Sequence, residues 1–307
     1  MKVSSAYLFN RAVDQMSTVQ EKLSKTQTQM AQGKQVIMAS DAPDQAATIT
    51  RYKTLIARQD SYQATLGSIS NRLQAEETAL SSVSNLLIRI KELSVQAAND
   101  TLGNTDRQAL ATEMKGLRDQ IVSMANTQDN TGNYIFGGSR VSNPPFVSVN
   151  GAPPQYQGDQ SRMQVPVGDQ RSVMLNRPGA EVFTRVLRED DQGQAVGVEF
   201  FQAIDDLIGS VQDSQHAGMT QGLTELDQMQ NSISLTLAKV GTDLNVLSAQ
   251  QNIVDDTKLT LKNILSGVED LDYASAVAKL NQQTLALQAA QSSFGKISQL
   301  NLFNYIN

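Results

Sequence analysis

Hydrophobic positions in the first third of the chain recur on a strict three-four spacing. Thr48, Tyr52, Leu55, Gln59, Tyr62, Leu66, Ile69, Leu73, Glu76, Leu80, Val83, Leu87, Ile90, Ser94 and Ala97 follow it, and eleven of these fifteen are apolar or aromatic. With 40% of the whole chain hydrophobic, chance would supply about six. A seven-residue repeat held this long keeps one narrow seam of a helix against partner helices, as in a coiled coil. Pro43 is the last proline before Pro144, so the stretch from Asp44 to Asn99 predicts one uninterrupted helix about 80 Å long.

The same spacing returns elsewhere. Phe9, Ala12, Met16, Val19, Leu23, Thr26 and Met30 predict a helix over about Ser5 to Gln32. Gly33 is placed to cap it in the left-handed conformation, and Ser40, Asp41 and Pro43 mark a joint before the long helix. A third helix begins at Thr105, with Gln108 in capping-box position, and carries Leu110, Met114, Leu117, Ile121 and Met124 back antiparallel. Tyr134 to Phe136 reads as a short strand-like run between glycine-rich turns. From Glu199 helix resumes with Phe201, Ile204, Leu207, Ile208 and Val211, and loosens at His216 and Gly218. The heptad then runs from Leu223 through Leu226, Gln230, Ile233, Leu237, Val240, Leu244, Leu247, Gln251, Val254, Lys258, Leu261 and Leu265 to Val268. After a break over Ser266 to Asp272, a last helix carries Val277, Leu280, Thr284, Leu287, Phe294 and Ile297 into an apolar tail. Between Gly138 and Glu199 the periodicity is lost: six of the seven prolines fall between Pro144 and Pro178, and short alternating runs are punctuated by Asn150-Gly151, Gly158-Asp159 and Gly168-Asp169. These are hairpin signals, Asn150-Gly151 being that of a type I′ turn.

The expected fold is therefore mainly α: an elongated antiparallel helical bundle or coiled-coil rod, with N- and C-terminal helices paired at one end and a small β-rich inserted domain. Residues 1–43 with 270–307 form the terminal α-helical assembly domain, 44–138 with 199–269 the rod, and 139–198 the insertion. If the two long helices are antiparallel, facing residue numbers sum to about 312, bringing Leu66 to Leu244 or Leu247 and Leu87 to Leu117 and Leu223 or Leu226. The insertion should lean on the rod yet project sideways or outward from it with both ends close together, and be removable without unfolding it. The stripes Phe9, Met16, Leu23, Met30 and Val277, Leu280, Leu287, Phe294, Ile297, with Leu302, Phe303 and Tyr305 of the tail, have no partner in the chain but each other. They are the expected assembly interface, gaining order when neighbouring copies cover them.

Composition narrows the function classes. Aromatic content is 5%, tryptophan and cysteine are absent, and the net charge is −6. Without clustered Lys and Arg no nucleic-acid partner is expected. No run reaches the length of a membrane span, and Met1 to Asn10 lacks the apolar region of a secretory signal, so neither membrane insertion nor a cleaved leader is expected. The lone His216 has no second ligand type beside it, so it reads as a solvated loop residue. The doublets Glu76-Glu77, Asp190-Asp191, Asp205-Asp206 and Asp255-Asp256 read as solvated faces. Asp129-Asn130-Thr131-Gly132-Asn133 lacks the glycine and glutamate positions of a calcium loop and reads as a turn. No catalytic residue, cofactor or metal is expected. Glu76 and Lys258, inside apolar seams, could set register.

A set of short motifs supports a family reading. Gly33-Lys34 precedes Ser40-Asp41-Ala42-Pro43; then follow Ile90 to Asn99 (IKELSVQAAN), Asp106-Arg107, Ala125-Asn126 and Tyr134-Ile135-Phe136-Gly137-Gly138, and near the end Ala286-Leu287-Gln288-Ala289 and Leu300-Asn301-Leu302-Phe303-Asn304-Tyr305. In order and separation they resemble the flagellin-like axial proteins of bacterial flagella, and among them the subunits between hook and filament more than flagellin. Asn301 departs from the usual Ser. The resemblance covers both ends and not the insertion. It implies a non-enzymatic structural subunit, secreted through the flagellar type III apparatus, with an export chaperone on the C-terminal helix. Its implied neighbours are copies of itself, hook-associated protein 1 and flagellin. Flagellin proper is the alternative in the same class. A ligand-binding or enzymatic module in the insertion, around Tyr156, Arg162, Arg171 and Arg177, is the alternative of another class.

Overall fold

The computed structural model describes residues 2–149, 151–169, 171–189 and 194–303. In chain order the elements are α1 (Lys2–Gln32), α2 (Pro43–Ala97), α3 (Asn104–Ala125), β1 (Phe146–Val147), β2 (Gln155–Tyr156), β3 (Gln164–Pro166), β4 (Ser172–Met174), α4 (Gly179–Val182), β5 (Val186–Glu189), β6 (Ala195–Val198), α5 (Phe200–Gln212), α6 (His216–Glu269) and α7 (Tyr273–Phe303). The mainly α architecture with small antiparallel strand pairs is the one expected. The residues group into two compact units, one comprising residues up to 59 and from 256 on, the other residues 60–255.

In the second unit the heptad of α2 is the core. Leu66, Ile69, Leu73, Leu80, Val83, Leu87 and Ile90 are all buried, as are Glu76, Ser94 and Ala97. Ala79 and Leu93 are buried too, because α2 is covered on more than one side and its apolar stripe is wider than a two-stranded seam. Helix α3 returns antiparallel: Arg89 pairs with Glu113 at 2.9 Å, and the Arg107 guanidinium donates to the carbonyls of Ala97 and Asn99 at 3.1 Å each. The Ala97 carbonyl, the last of α2, has no helical partner, and Asn99 lies in the turn that follows, so Arg107 closes the turn. The start of α3 lies one residue before the expected Thr105, and the Asp106 carboxylate, not Gln108, accepts from the capping N–H of Gly103 at 3.3 Å. Helix α6 runs against α2 through Ser84 and Gln230 (2.6 Å), Gln63 and Asp255 (2.9 Å), and Lys91 and Asp227. Facing numbers sum to 314–318, within two helical turns of the expected value of about 312.

Three local expectations are corrected. Tyr134 to Phe136 is strand-like only at Tyr134, which bridges antiparallel to Gln128, and is otherwise a buried loop: Ile135 and Phe136 are fully covered, and the Arg72 guanidinium donates to the Ile135 carbonyl at 2.9 Å. The strands around Asn150-Gly151 pair at Phe146 with Tyr156 and Val147 with Gln155, so seven residues and not two connect them. Helix α6 already begins at His216, and the break before it is confined to Asp213–Gln215, where Ser214 takes a φ of +56°.

The insertion does not project sideways; its strand pairs β1-β2, β3-β4 and β5-β6 lie along the helices. Descending α6, the Gln250 side chain donates to the Val167 carbonyl (3.2 Å) and accepts from Arg171 (3.0 Å), and Asp243 binds Arg177. Ser232 meets Thr184 at 3.0 Å, Gln228 both donates to and accepts from the Leu187 backbone at 2.9 Å, and Glu225 binds Arg188. Residues 225 to 250 of α6 thus form a second, polar column that holds the insertion. Where the insertion meets α5, Phe136, Phe146, Phe183, Phe200 and Phe201 form one cluster with neighbouring ring centroids 5.1–5.9 Å apart, mostly edge to face, the favoured aromatic geometry.

Arg72 anchors the loop before the insertion. Besides Ile135 it binds Asp129 at 2.7 Å, whose other oxygen accepts from Thr131 and Asn133. Arg72→Met removes that ion pair and leaves the buried Ile135 carbonyl without its donor, and an equilibrium urea titration should show a loss of about 3 kcal/mol. An unchanged midpoint would mean that the loop is held by Ile135 and Phe136 alone.

Candidate assembly interface

In the first unit α1 and α7 pair antiparallel. The rings of Phe9 and Phe294 lie 5.0 Å apart, and the Tyr273 hydroxyl donates to the Met30 carbonyl at 3.0 Å. Paired numbers sum to 303 at both places, a register that sets Leu23 opposite Leu280 and Met16 opposite Leu287. Phe9, Met16, Leu23, Met30, Leu280, Leu287 and Phe294 are all only half-buried. Val277 does not belong to the seam: it is 43% exposed, and Ala276 occupies the buried position. The difference follows from phase, since Ala276, Leu280, Gln283, Leu287, Ala290 and Phe294 keep the three-four spacing that Val277 breaks. Ile297, Leu302 and Phe303 belong to the α7 backbone, their side chains lying outside what the structure describes, as does Tyr305 altogether. On the face of α7 away from α1, Leu285 is 67% exposed.

The joint beside this pair is built from the motif residues. Gly33 has a φ of +67°, and the N–H of Lys34 bonds to the Gln29 carbonyl at 3.2 Å, the Schellman closure that a glycine permits. The connectors then pair with each other, Gln35 N–H to the Glu269 carbonyl (2.8 Å) and Leu271 N–H to the Gly33 carbonyl (3.0 Å). Asp41 binds Lys25 at 2.7 Å, and the Asp272 carboxylate caps α7 by accepting from Ala274 and Ser275. Buried Glu269 accepts from Lys34 at 2.7 Å and Lys53 at 2.8 Å. Burial pushes its carboxyl up, but these two ammonium groups outweigh it and hold it below the usual range. A depressed folded-state pKa contributes stability above the unfolded value and loses it as pH falls through the folded one. Acid titration should therefore loosen this joint below about pH 4.5, and Glu269→Gln should remove that step from amide exchange at Gln35 and Leu271. Persistence of the step in the variant would assign it to Asp41 or Asp272.

Of the residues proposed for a pocket in the insertion, Arg162 and Arg177 line one hollow with Glu181 and Asp243, Tyr156 and Arg171 lie outside it, and all four are already bonded. Arg162 pairs with Glu181 (2.9 Å), Arg171 with Gln250, and Arg177 with Glu76 (3.0 Å) and Asp243, while the Tyr156 hydroxyl is held by the Phe136 and Asp159 carbonyls. Several acidic residues are partners rather than solvated faces. Asp205 accepts both arms of Arg118 (2.7 and 2.8 Å), and Asp206 accepts from Arg188 (2.7 Å). Asp190 and Asp191 lie outside the described residues. His216 sits 3.0 Å from Asp100 on the surface. Among the described residues no group of three acidic, His or Cys side chains could hold a metal, and no helix is long and apolar enough to cross a membrane. The polar column of α6 escaped the sequence reading; its one signal was a period of polar residues, at Glu225, Gln228, Ser232, Asp243 and Gln250, beside the apolar one.

Residues 3–140 match the family described as the bacterial flagellin N-terminal helical region, which takes in α1, α2, α3 and the buried loop. Over that part, less than half of its length, the chain is similar in sequence to bacterial flagellin. The chain is similar from end to end to flagellar hook-associated protein 3: 28% identical to that of Escherichia coli over 317 residues, 99% of each chain, and 26% identical to that of Salmonella typhimurium, again 99% of each. Flagellin of Listeria innocua aligns at 23% over 98% of this chain and 96% of its own. The fold is that of a flagellar hook-associated protein of Vibrio parahaemolyticus, with a TM-score of 0.67 over 75% of this chain and 100% of that one at 22% identity.

Proposed function

We propose that this chain is the subunit joining hook to filament, assembling into a layer through α1 and α7. On one side it would meet hook-associated protein 1, on the other flagellin, and around the layer its own copies. The observation that carries the reading is the end-to-end likeness to hook-associated protein 3, above that to flagellin. The half-covered seam of α1 and α7 supports the mode of assembly, since neighbouring copies could complete its burial. The role is structural and not catalytic, and the chain reaches the cell exterior unfolded, through the flagellar export apparatus with a chaperone on α7.

Cells lacking the gene should carry hooks without filaments and shed flagellin into the medium, as seen by electron microscopy and by blotting of the supernatant. Purified chain added to filament seeds should stop at a layer. Continued elongation into long filaments would move the chain to flagellin proper, and normal filaments on the deleted cells would remove it from the junction.

A further inference from the structure

Glu76 is the one fully buried acidic side chain in the α2 seam, 0% exposed between Leu73 and Leu80. One carboxylate oxygen accepts from Arg177 at 3.0 Å; the other is buried with no hydrogen-bond partner. Burial pushes this carboxyl up, against the pull of the Arg177 and Arg72 guanidiniums, and the nearby Asp243 carboxylate pushes it the same way as burial. Arg72 is already committed to Asp129 and Ile135. Burial outweighs both guanidiniums, and Arg177, which comes from the insertion, is the side chain that bonds this carboxyl. Its second arm reaches Asp243 of α6, so a single guanidinium spans α2 and α6.

The delivery of Arg177 is stiff. The side chain of its neighbour Asn176 accepts from the Met163 N–H at 2.7 Å and donates to the carbonyls of Gly138 (3.1 Å) and Ser161 (3.0 Å). On the other side Pro178 restricts the backbone, and the Gly179 N–H bonds to the Phe136 carbonyl at 2.8 Å. These bonds exist only in a folded insertion docked at the Phe136 loop. We infer that Arg177 is a latch: it makes closure of the α2–α6 seam around Glu76 conditional on the insertion being folded and seated. An apolar residue at position 76 would let the two helices close alone; a buried carboxyl stripped of its donor, whether it stays charged or takes up a proton, opposes it. The insertion thereby acts as a positioning element for the helices that carry it.

Amide hydrogen exchange on the full chain tests this, read over residues 69–83 of α2, 237–247 of α6 and 163–176 of the insertion. Arg177→Met should speed exchange on the order of a hundredfold in all three segments together. Adding Glu76→Leu to that variant should return the α2 and α6 segments to near wild-type protection while 163–176 stays open, a rescue that loss of Arg177 packing would not allow. Glu76→Gln alone should leave all three protected. Unchanged exchange over 69–83 in Arg177→Met would overturn the latch, because the seam would then close without it. So would a double variant as open as the single one, which would reduce Arg177 to a packing residue.

Discussion

Excision of residues 140–198, with Ser139 joined to Glu199 through a flexible linker, is expected to abolish cooperative unfolding of the segment 60–255. A sideways insertion would leave little trace when removed, but this one covers Phe136, Phe200 and Phe201 with Phe146 and Phe183 and supplies the arginines that neutralise Glu76 and Glu225. Uncovering a buried aromatic costs roughly 2 to 3 kcal/mol, and orphaning a buried carboxylate about 3 to 5. Three rings and two carboxylates together exceed about 10 kcal/mol, comparable to the whole stability of an ordinary domain, about 5 to 15. The excised chain should keep much of its far-ultraviolet helical signal, lose a sharp urea transition and bind a hydrophobic dye. A sharp transition at the parental midpoint would show that the helices are self-sufficient and that the polar column of α6 contributes nothing to their folding.

Removal of α1 and α7 should have the opposite pattern, total loss of assembly with little loss of fold. Residues 60–255 form their own compact unit, so a chain running from Gln35 to Asp272 should melt in that part as the parent does. It should nevertheless fail to restore filaments to cells lacking the gene. The reason lies in the seam: across α1 and α7 only Thr26 and Ala276 are fully covered among the residues whose burial is described. Ordering each residue costs about 1 to 2 kcal/mol of conformational entropy, and half-covered side chains from one narrow seam return little of it. In the full-length monomer, amides over Ser17 to Met30 and Ala276 to Ser293 should exchange rapidly, and become protected when copies pack together. Strong protection in dilute monomer would mean that the pair is stable alone and that assembly does not drive its folding.

The motifs that carried the resemblance have, in the structure, mechanical roles at joints. Gly33 ends α1, Asp41 ties its connector to Lys25, Asp106 and Arg107 close the turn between α2 and α3, and Ile135 and Phe136 fill the base of the insertion. Gly138 holds a φ of +69°, and a Cβ there would lie 2.5 Å from the Asp159 carbonyl oxygen, so no larger residue fits that turn. The terminal seam was legible because Phe9 to Met30 and Leu280 to Phe294 keep a heptad phase. Val277 was misplaced because Ala276, small and weakly hydrophobic, gives almost no periodic signal.

The amino-acid sequence by itself determined the helices and their partners. Heptad spacing is a local property, and it specifies which face of α2 and α6 must be buried whatever buries it. It equally determined the joints, where Gly33 admits the left-handed angle that other residues avoid and Pro43 fixes its own. What covers the second side of α6 was decided by tertiary structure alone. Glu225, Gln228, Ser232, Asp243 and Gln250 are residues that water satisfies as well as a docked strand does, so their chemistry does not say which of the two they meet. The same holds for Glu76, whose partner in the apolar seam, Arg177, is 101 residues away in sequence and is brought against it only by the fold.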